Sequence, residues 1–86
     1  MRRRVHFGDL VSIPANEVFG LVERIEKPGK TWWKLYRWDR SPPEGVTCVV
    51  LHENDPRNPT AGLWILFGPH GHYIRCAEGT FEIIAR

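Results

Sequence analysis

The sequence has no long apolar run and few cysteines, and each shortage excludes a class of protein. No apolar stretch approaches the ~18 residues of a membrane-spanning helix. The first six residues carry charge with no apolar segment behind them, so we expect no secretory signal and a cytoplasmic location. Two cysteines in such a chain indicate reduced thiols rather than a disulfide framework.

The sequence motifs of common enzymes are also missing. There is no Gly-rich phosphate loop, no G-x-S-x-G and no H-E-x-x-H. The only serines are Ser12 and Ser41, and neither lies in a sequence context typical of a catalytic nucleophile. We therefore expect a non-enzymatic protein that uses no cofactor.

Turn residues punctuate the whole chain, which contains eight Gly and seven Pro. Between them the pattern predicts strands at residues 8–13, 18–27, 30–40, 46–52, 63–67, 72–75 and 80–84, and no amphipathic helix. We expect one all-β domain over residues 1–86, either a small barrel or a strongly bent antiparallel sheet of five to seven short strands. It includes an extra hairpin around residues 46–68 and follows a basic arm at residues 1–6. A bulge at Glu23 and Arg24 is expected to bring Val22 and Ile25 to one face.

Residues 30–40, Lys-Thr-Trp-Trp-Lys-Leu-Tyr-Arg-Trp-Asp-Arg, hold three of the four tryptophans. Their aromatic content favours a strand, which we expect at the centre of the sheet. Alternation places Trp33, Leu35 and Arg37 on one face. The opposite face then carries the candidate ligand-binding residues Trp32, Lys34, Tyr36 and Trp38. The alternative interpretation is that nearly every aromatic side chain belongs to the core of so small a domain.

Charge is distributed unevenly along the chain. Residues 1–40 carry nine Lys and Arg against five acids, or +4, and residues 41–86 carry three against five, or −2. Aromatic side chains among Lys and Arg suit base stacking combined with phosphate attraction. Arg2, Arg3 and Arg4 are candidates for further phosphate contacts. We expect a macromolecular partner, either nucleic acid or protein, and no membrane.

Three segments carry a resemblance to a known superfamily. They are Gly8-Asp-Leu-Val-Ser-Ile-Pro, Phe19-Gly-Leu-Val-Glu-Arg-Ile and Trp33-Lys-Leu-Tyr-Arg-Trp-Asp. Together they resemble the opening of SH3-like barrels of the Tudor, chromo and KOW kind. Residues 73–84 resemble the ending of these barrels: a short strand, a single 3₁₀ turn and a closing strand. The resemblance implies a small barrel over residues 8–39 and 72–84, whereas residues 41–71 depart from the pattern.

Two further groups of residues have alternative interpretations. Cys48, His52, His70, His72 and Cys76 contain metal-ligating atoms, but residues four apart in a strand lie ~13 Å apart, so a site requires two strand ends to meet. The spacing matches no known zinc module, and buried cysteines with exposed loop histidines are the simpler interpretation. Trp64 and Phe67 are candidates for an interface between copies of the chain.

These candidates leave two other functions open. One is a homo-oligomeric structural or accessory protein of a mobile element, either a homodimer or a higher oligomer, because small sheets readily pair through exposed edges. The other follows from a distant resemblance to the plasmid-encoded type II dihydrofolate reductases, which are short SH3-like barrels active as tetramers. Their Val-Gln-Ile-Tyr strand is replaced here by His72-Tyr-Ile-Arg75, which removes the residues expected to bind both substrates.

Overall fold

The computed structural model describes residues 5–53 and 62–85. Arg2, Arg3 and Arg4 lie outside the described residues. No helix of these two segments has the length and apolarity that a membrane crossing requires. A 3₁₀ turn at Glu78–Thr80 precedes the last of seven strands, and the strands are β1 (Leu10–Ile13), β2 (Val18–Lys27), β3 (Lys30–Arg40), β4 (Val46–Glu53), β5 (Leu63–Phe67), β6 (Tyr73–Ala77) and β7 (Glu82–Ala85).

The strands form one antiparallel sheet in the order β3-β2-β6-β5-β4-β1-β7. The all-β prediction is therefore confirmed, and of its two architectures the open sheet is the one observed, because the outer strands β3 and β7 do not pair. The predicted extra hairpin is also confirmed, since β4 and β5 pair from Val49 opposite Phe67 to Glu53 opposite Trp64. A 3₁₀ turn lies between β6 and β7, as the resemblance of residues 73–84 implied.

The prediction that residues 30–40 form the central strand is wrong. β3 pairs with β2 alone and forms one edge of the sheet. The neighbour of β2 on its other side is β6, which pairs with it at Gly20, Leu21 and Val22. High aromatic content favours a strand without fixing its position, and the four Lys and Arg of β3 are typical of an edge that resists unwanted pairing.

One face of the sheet, here called the core face, carries the main hydrophobic core. Its most deeply buried members come from strands that are distant in sequence, because β1 pairs with both β4 and β7. Val5 joins this cluster, so part of the predicted basic arm is anchored to the sheet. The fully buried side chains are Phe81, Ile13, Ile65, Leu66, Val11, Val50 and Cys48, and all of them except Ile65 belong to the core cluster.

The opposite face, here called the aromatic face, carries the buried side chains of Val22 and Ile65, which lie outside the core cluster. The Trp33 ring lies 5.5 Å from the His52 ring, although β3 and β4 are four strands apart in the sheet order. A flat sheet would separate these strands by ~19 Å. The β2–β3 hairpin therefore bends over the aromatic face, and Trp33 covers part of it.

The expected bulge lies elsewhere. Leu21 pairs with Arg37 and Val22 with Leu35, so the extra residue is Tyr36 on β3, not a residue at Glu23 and Arg24. The bulge reverses the alternation of β3. Trp32 and Lys34 consequently share the core face, whereas Trp38, opposite Gly20, lies on the aromatic face with Trp33 and Leu35.

Candidate functional site

The exposed end of β3, residues 36–40, holds the largest aromatic side chain that the fold leaves in solvent. Trp38 is 63% exposed and Tyr36 is 51% exposed. Gly20 lies opposite Trp38 and beneath Leu35. A β-carbon there would lie 2.7 Å from Cδ1 of Leu35, so the small residue lets Leu35 lie close to the sheet, whereas the 3.5 Å to Cζ3 of Trp38 is an ordinary contact distance.

Trp32, also predicted to contact a partner, is partly buried within the hairpin. The ammonium groups of Lys27 and Lys30 lie 5.6 and 5.3 Å from the centre of its ring. Such cation–π contacts stabilise exposed sites by ~0.5–1 kcal/mol each. Trp32 therefore serves the packing of its own hairpin, and of the four predicted aromatic-strand residues the structure leaves Lys34, Tyr36 and Trp38 exposed.

Trp33 belongs to a row of rings on the aromatic face. Its ring lies 4.8 Å from that of Tyr73, and Tyr73 lies 5.5 Å from Phe67 in an edge-to-face arrangement. Aromatic pairs at these separations stabilise packing by ~0.5–1.5 kcal/mol beyond buried area. Trp33 therefore packs on the aromatic face outside the core cluster, and Trp38 is largely exposed.

The hairpin and the rest of the sheet carry opposite charge. Residues 18–40 contain six Lys and Arg against three acids, or +3, whereas the other described residues contain only Arg75 against six acids, or −5. The ion pairs Arg24–Glu26 at 2.7 Å and Arg37–Asp39 at 3.8 Å are both exposed. Exposed pairs contribute ~0–1 kcal/mol, so both arginines remain available to an anionic partner.

Two connected clefts lie where the hairpin leaves the sheet. The hairpin cleft, of ≈ 620 Å³, is lined by Phe7, Arg24, Thr31, Trp33, Leu51, His52, Glu53 and Tyr73. The notch, of ≈ 510 Å³, is lined by Val22, Glu23, Arg24, Tyr36, Gly71, His72 and Tyr73. Arg24 and Tyr73 line both, so the clefts adjoin.

Most of these cleft residues could not be identified from the sequence. Phe7, Arg24, Glu53 and Tyr73 come from four segments of the chain that strand periodicity cannot bring together. The one feature of the sequence that could have pointed to the cleft was Phe7, a large aromatic residue between the basic arm and a turn.

A third cleft, of ≈ 400 Å³, opens on the core face above Phe19, Leu21 and Ile74. Its rim mixes acids, histidines and one arginine, and Nη1 of Arg40 donates a 2.8 Å hydrogen bond to the carbonyl of Asn16. The mixture favours no single class of ligand.

The metal-ligand candidates do not meet. Among residues 5–53 and 62–85, no group of three or more His, Cys, Asp or Glu side chains is arranged to hold a metal ion. Cys48 and Cys76 lie buried in the core cluster, whereas His52, His70 and His72 are exposed. Burial raises the pKa of Cys48 to about 11, and burial together with the nearby Cys48 raises the pKa of Cys76 to about 12, so both are protonated thiols at neutral pH.

The two residues predicted to form an oligomer interface point to opposite faces of β5. Trp64 pairs with Cys76 and packs against the core cluster. Phe67, which is 40% exposed, pairs with Tyr73 on the aromatic face. The pair therefore does not form one continuous patch.

Comparison of the chain with protein-family models, curated proteins and solved structures finds no match.

Proposed function

We propose that the protein binds single-stranded nucleic acid along the exposed end of β3. The observation that carries the proposal is the 63% exposure of Trp38 on the most basic strand of the sheet. β3 carries Lys30, Lys34, Arg37 and Arg40 against Asp39, a net charge of +3. Aromatic side chains beside Lys and Arg bind nucleic acid by stacking, which contributes ~1–3 kcal/mol per base, and by phosphate neutralisation.

The chemistry of Tyr36 and Trp38 favours single strands over duplexes. The flat face of a base in a duplex is already stacked on its neighbours, so only an unpaired base can stack on a side chain. β3 is an edge strand, so side chains from both of its faces can contact a ligand that lies along the unpaired edge of the sheet. Lys34 and Arg37 on the core side supply two positive charges along it, and Arg40, whose Nη1 donates to the carbonyl of Asn16, adds a third at the end of the strand.

The experiment is a titration of a fluorescently labelled twelve-nucleotide oligothymidylate with wild type and with Trp38→Ala, followed by anisotropy. Loss of one stacked base at ~1–3 kcal/mol predicts affinity lower by about 5- to 150-fold. Trp38→Phe keeps a ring and should retain most of the affinity. Ile84→Ala removes an apolar side chain that is also more than half exposed from β7, at the other edge of the sheet, and should leave binding unchanged.

An extended acidic peptide is the second candidate ligand, because the unpaired backbone of β3 can accept an added strand. Self-pairing of two β3 strands is disfavoured, since each carries +3. Competition distinguishes the ligands. An oligoglutamate peptide that binds more tightly than the oligonucleotide, with Trp38→Ala having no effect on either, would replace nucleic acid by a protein partner.

A further inference from the structure

Arg75 is the one basic residue that the structure describes outside the β2–β3 hairpin. Its guanidinium forms no ion pair with any residue of the described segments. Side chains of this kind are usually matched with a carboxylate or a phosphate, because the guanidinium carries five donors and is always charged. Arg75 is therefore available to an anion that the fold itself does not supply.

The position of Arg75 in β6 places its side chain on the aromatic face. Ile74 and Cys76, the residues on either side of it, belong to the core cluster, so alternation directs Arg75 to the opposite face. There it pairs with the fully buried Ile65 on β5 and with Gly20 on β2. A half-buried arginine in this position can lay its apolar stem along the sheet and keep its charged head in water.

Gly20 separates Arg75 from the exposed indole of Trp38. Gly20 pairs with Trp38 on one side and with Arg75 on the other, and all three lie on the aromatic face. The backbones of β3 and β6 are two strand spacings, or about 10 Å, apart. Gly20 places no side chain between them, and Leu35 packs onto it to form an apolar floor. One nucleotide can thus stack its base on the indole and extend its phosphate toward the guanidinium.

We infer that Arg75 binds the phosphate of the nucleotide whose base stacks on Trp38. Arg75 can have this role only if β3 binds a single strand as proposed, and it adds the direction in which that strand runs. Its forked guanidinium can make two parallel hydrogen bonds to a phosphate. Because Arg75 lies two strands in from the edge, the bound strand leaves β3 at Trp38 and crosses the aromatic face toward β6.

The test is an anisotropy titration of the twelve-nucleotide oligothymidylate with Arg75→Met, which keeps the apolar stem and removes the charge. Loss of hydrogen bonds to a charged group predicts about tenfold lower affinity. Loss of one phosphate contact also makes the fall in affinity between 50 and 200 mM salt about 2.6-fold smaller than for wild type. On an oligothymidylate with uncharged methylphosphonate links, wild type and Arg75→Met should bind equally.

The matched control is Lys27→Met, which removes one charge at the far end of β2, ~23 Å from Gly20. At that distance screening should limit its effect to under about threefold, and the effect should multiply with that of Trp38→Ala. Arg75→Met should behave differently, because a nucleotide that has lost its stacked base no longer holds its phosphate at Arg75. The double variant should bind at least about twofold more tightly than the product of the two single losses predicts.

The outcomes separate the phosphate contact from strand binding itself. Arg75→Met with wild-type affinity and salt dependence, an equal loss on the methylphosphonate strand, or losses that multiply fully with Trp38→Ala would each overturn the role of Arg75 and leave the proposed function in place. Arg75→Gln replaces Arg75→Met if the latter lowers the urea midpoint. Absence of binding by wild type overturns the proposed function and the role of Arg75 together.

Discussion

Gly45 is the residue at which a single added methyl group should cost the fold most. Its φ is +77°, and a β-carbon there would lie 2.8 Å from the carbonyl oxygen of Ile13. Ile13 is fully buried and pairs with Val46, so the contact cannot relax without moving the end of β1 in the core. Gly45→Ala therefore combines backbone strain with a steric shift.

The magnitude can be separated into these two parts by a matched variant. Gly29 in the β2–β3 turn has φ +76° and no atom within 4 Å of an added β-carbon. Gly29→Ala should thus cost only the ~1–2 kcal/mol of a left-handed residue. Gly45→Ala adds ~1–3 kcal/mol for displacing packed core backbone, giving about 2–5 kcal/mol in all.

The assay is urea unfolding followed by tryptophan fluorescence, with the free energy of unfolding taken from a two-state fit. A domain of 86 residues has ~4–13 kcal/mol of stability, so Gly45→Ala should lower the midpoint strongly and the Gly29 variant modestly. If the two variants lose the same free energy of unfolding to within about 0.5 kcal/mol, the limit to which independent effects are resolved, the close approach of Gly45 to Ile13 is refuted.

Three further outcomes follow from the same structure. Trp33→Ala, which removes ring contacts to Tyr73 and His52, should cost about 2–4 kcal/mol in urea unfolding, whereas Trp38→Ala should cost under about 1 kcal/mol; the reverse order would contradict their placement. Ser41→Ala removes the buried hydroxyl that donates to the Ile13 carbonyl at 3.2 Å and should cost about 1–3 kcal/mol, with Ser12→Ala, at a half-buried position, as the smaller comparison. Because burial raises the pKa of Cys48 and Cys76 from 9.0 to about 11 and 12, the stability they contribute is complete below pH 9 and is lost as pH rises from 9 through 11–12. Native thiols should resist a thiol-specific reagent at pH 8 until the protein unfolds, and rapid labelling of the folded protein would count against their burial.

The strand boundaries could be predicted because turn chemistry marks them. Pro28 and Gly29 separate β2 from β3, and the structure ends and begins these strands at Lys27 and Lys30. The order of the strands could not be predicted in the same way. β1 pairs with β4 and β7, and β2 with β6, and nothing in the periodicity of one strand identifies a partner fifty residues away.

The candidate site, like the fold, could be predicted only in part. Six of the nine Lys and Arg of residues 1–40 lie on the hairpin, which carries +3, and the other three are Arg2, Arg3 and Arg4, outside the described residues. Strict alternation misplaced the face of Trp38, because one extra residue at Tyr36 reverses every position beyond it. The hairpin cleft was missed because its existence depends on how far the hairpin bends over the sheet, which no local pattern encodes.

We expect the exposed end of β3 to bind unpaired nucleic acid through stacking and charge. The most direct measurement is an anisotropy titration of wild type with a single-stranded oligonucleotide and with its duplex, at 50 and 200 mM salt, with tryptophan emission recorded in parallel. Three neutralised phosphates predict affinity for the single strand that falls about 20-fold between the two salt concentrations. We expect tighter binding of the single strand than of the duplex, together with quenching of tryptophan emission. Equal binding of both forms without quenching, or no binding at 50 mM salt, would contradict it.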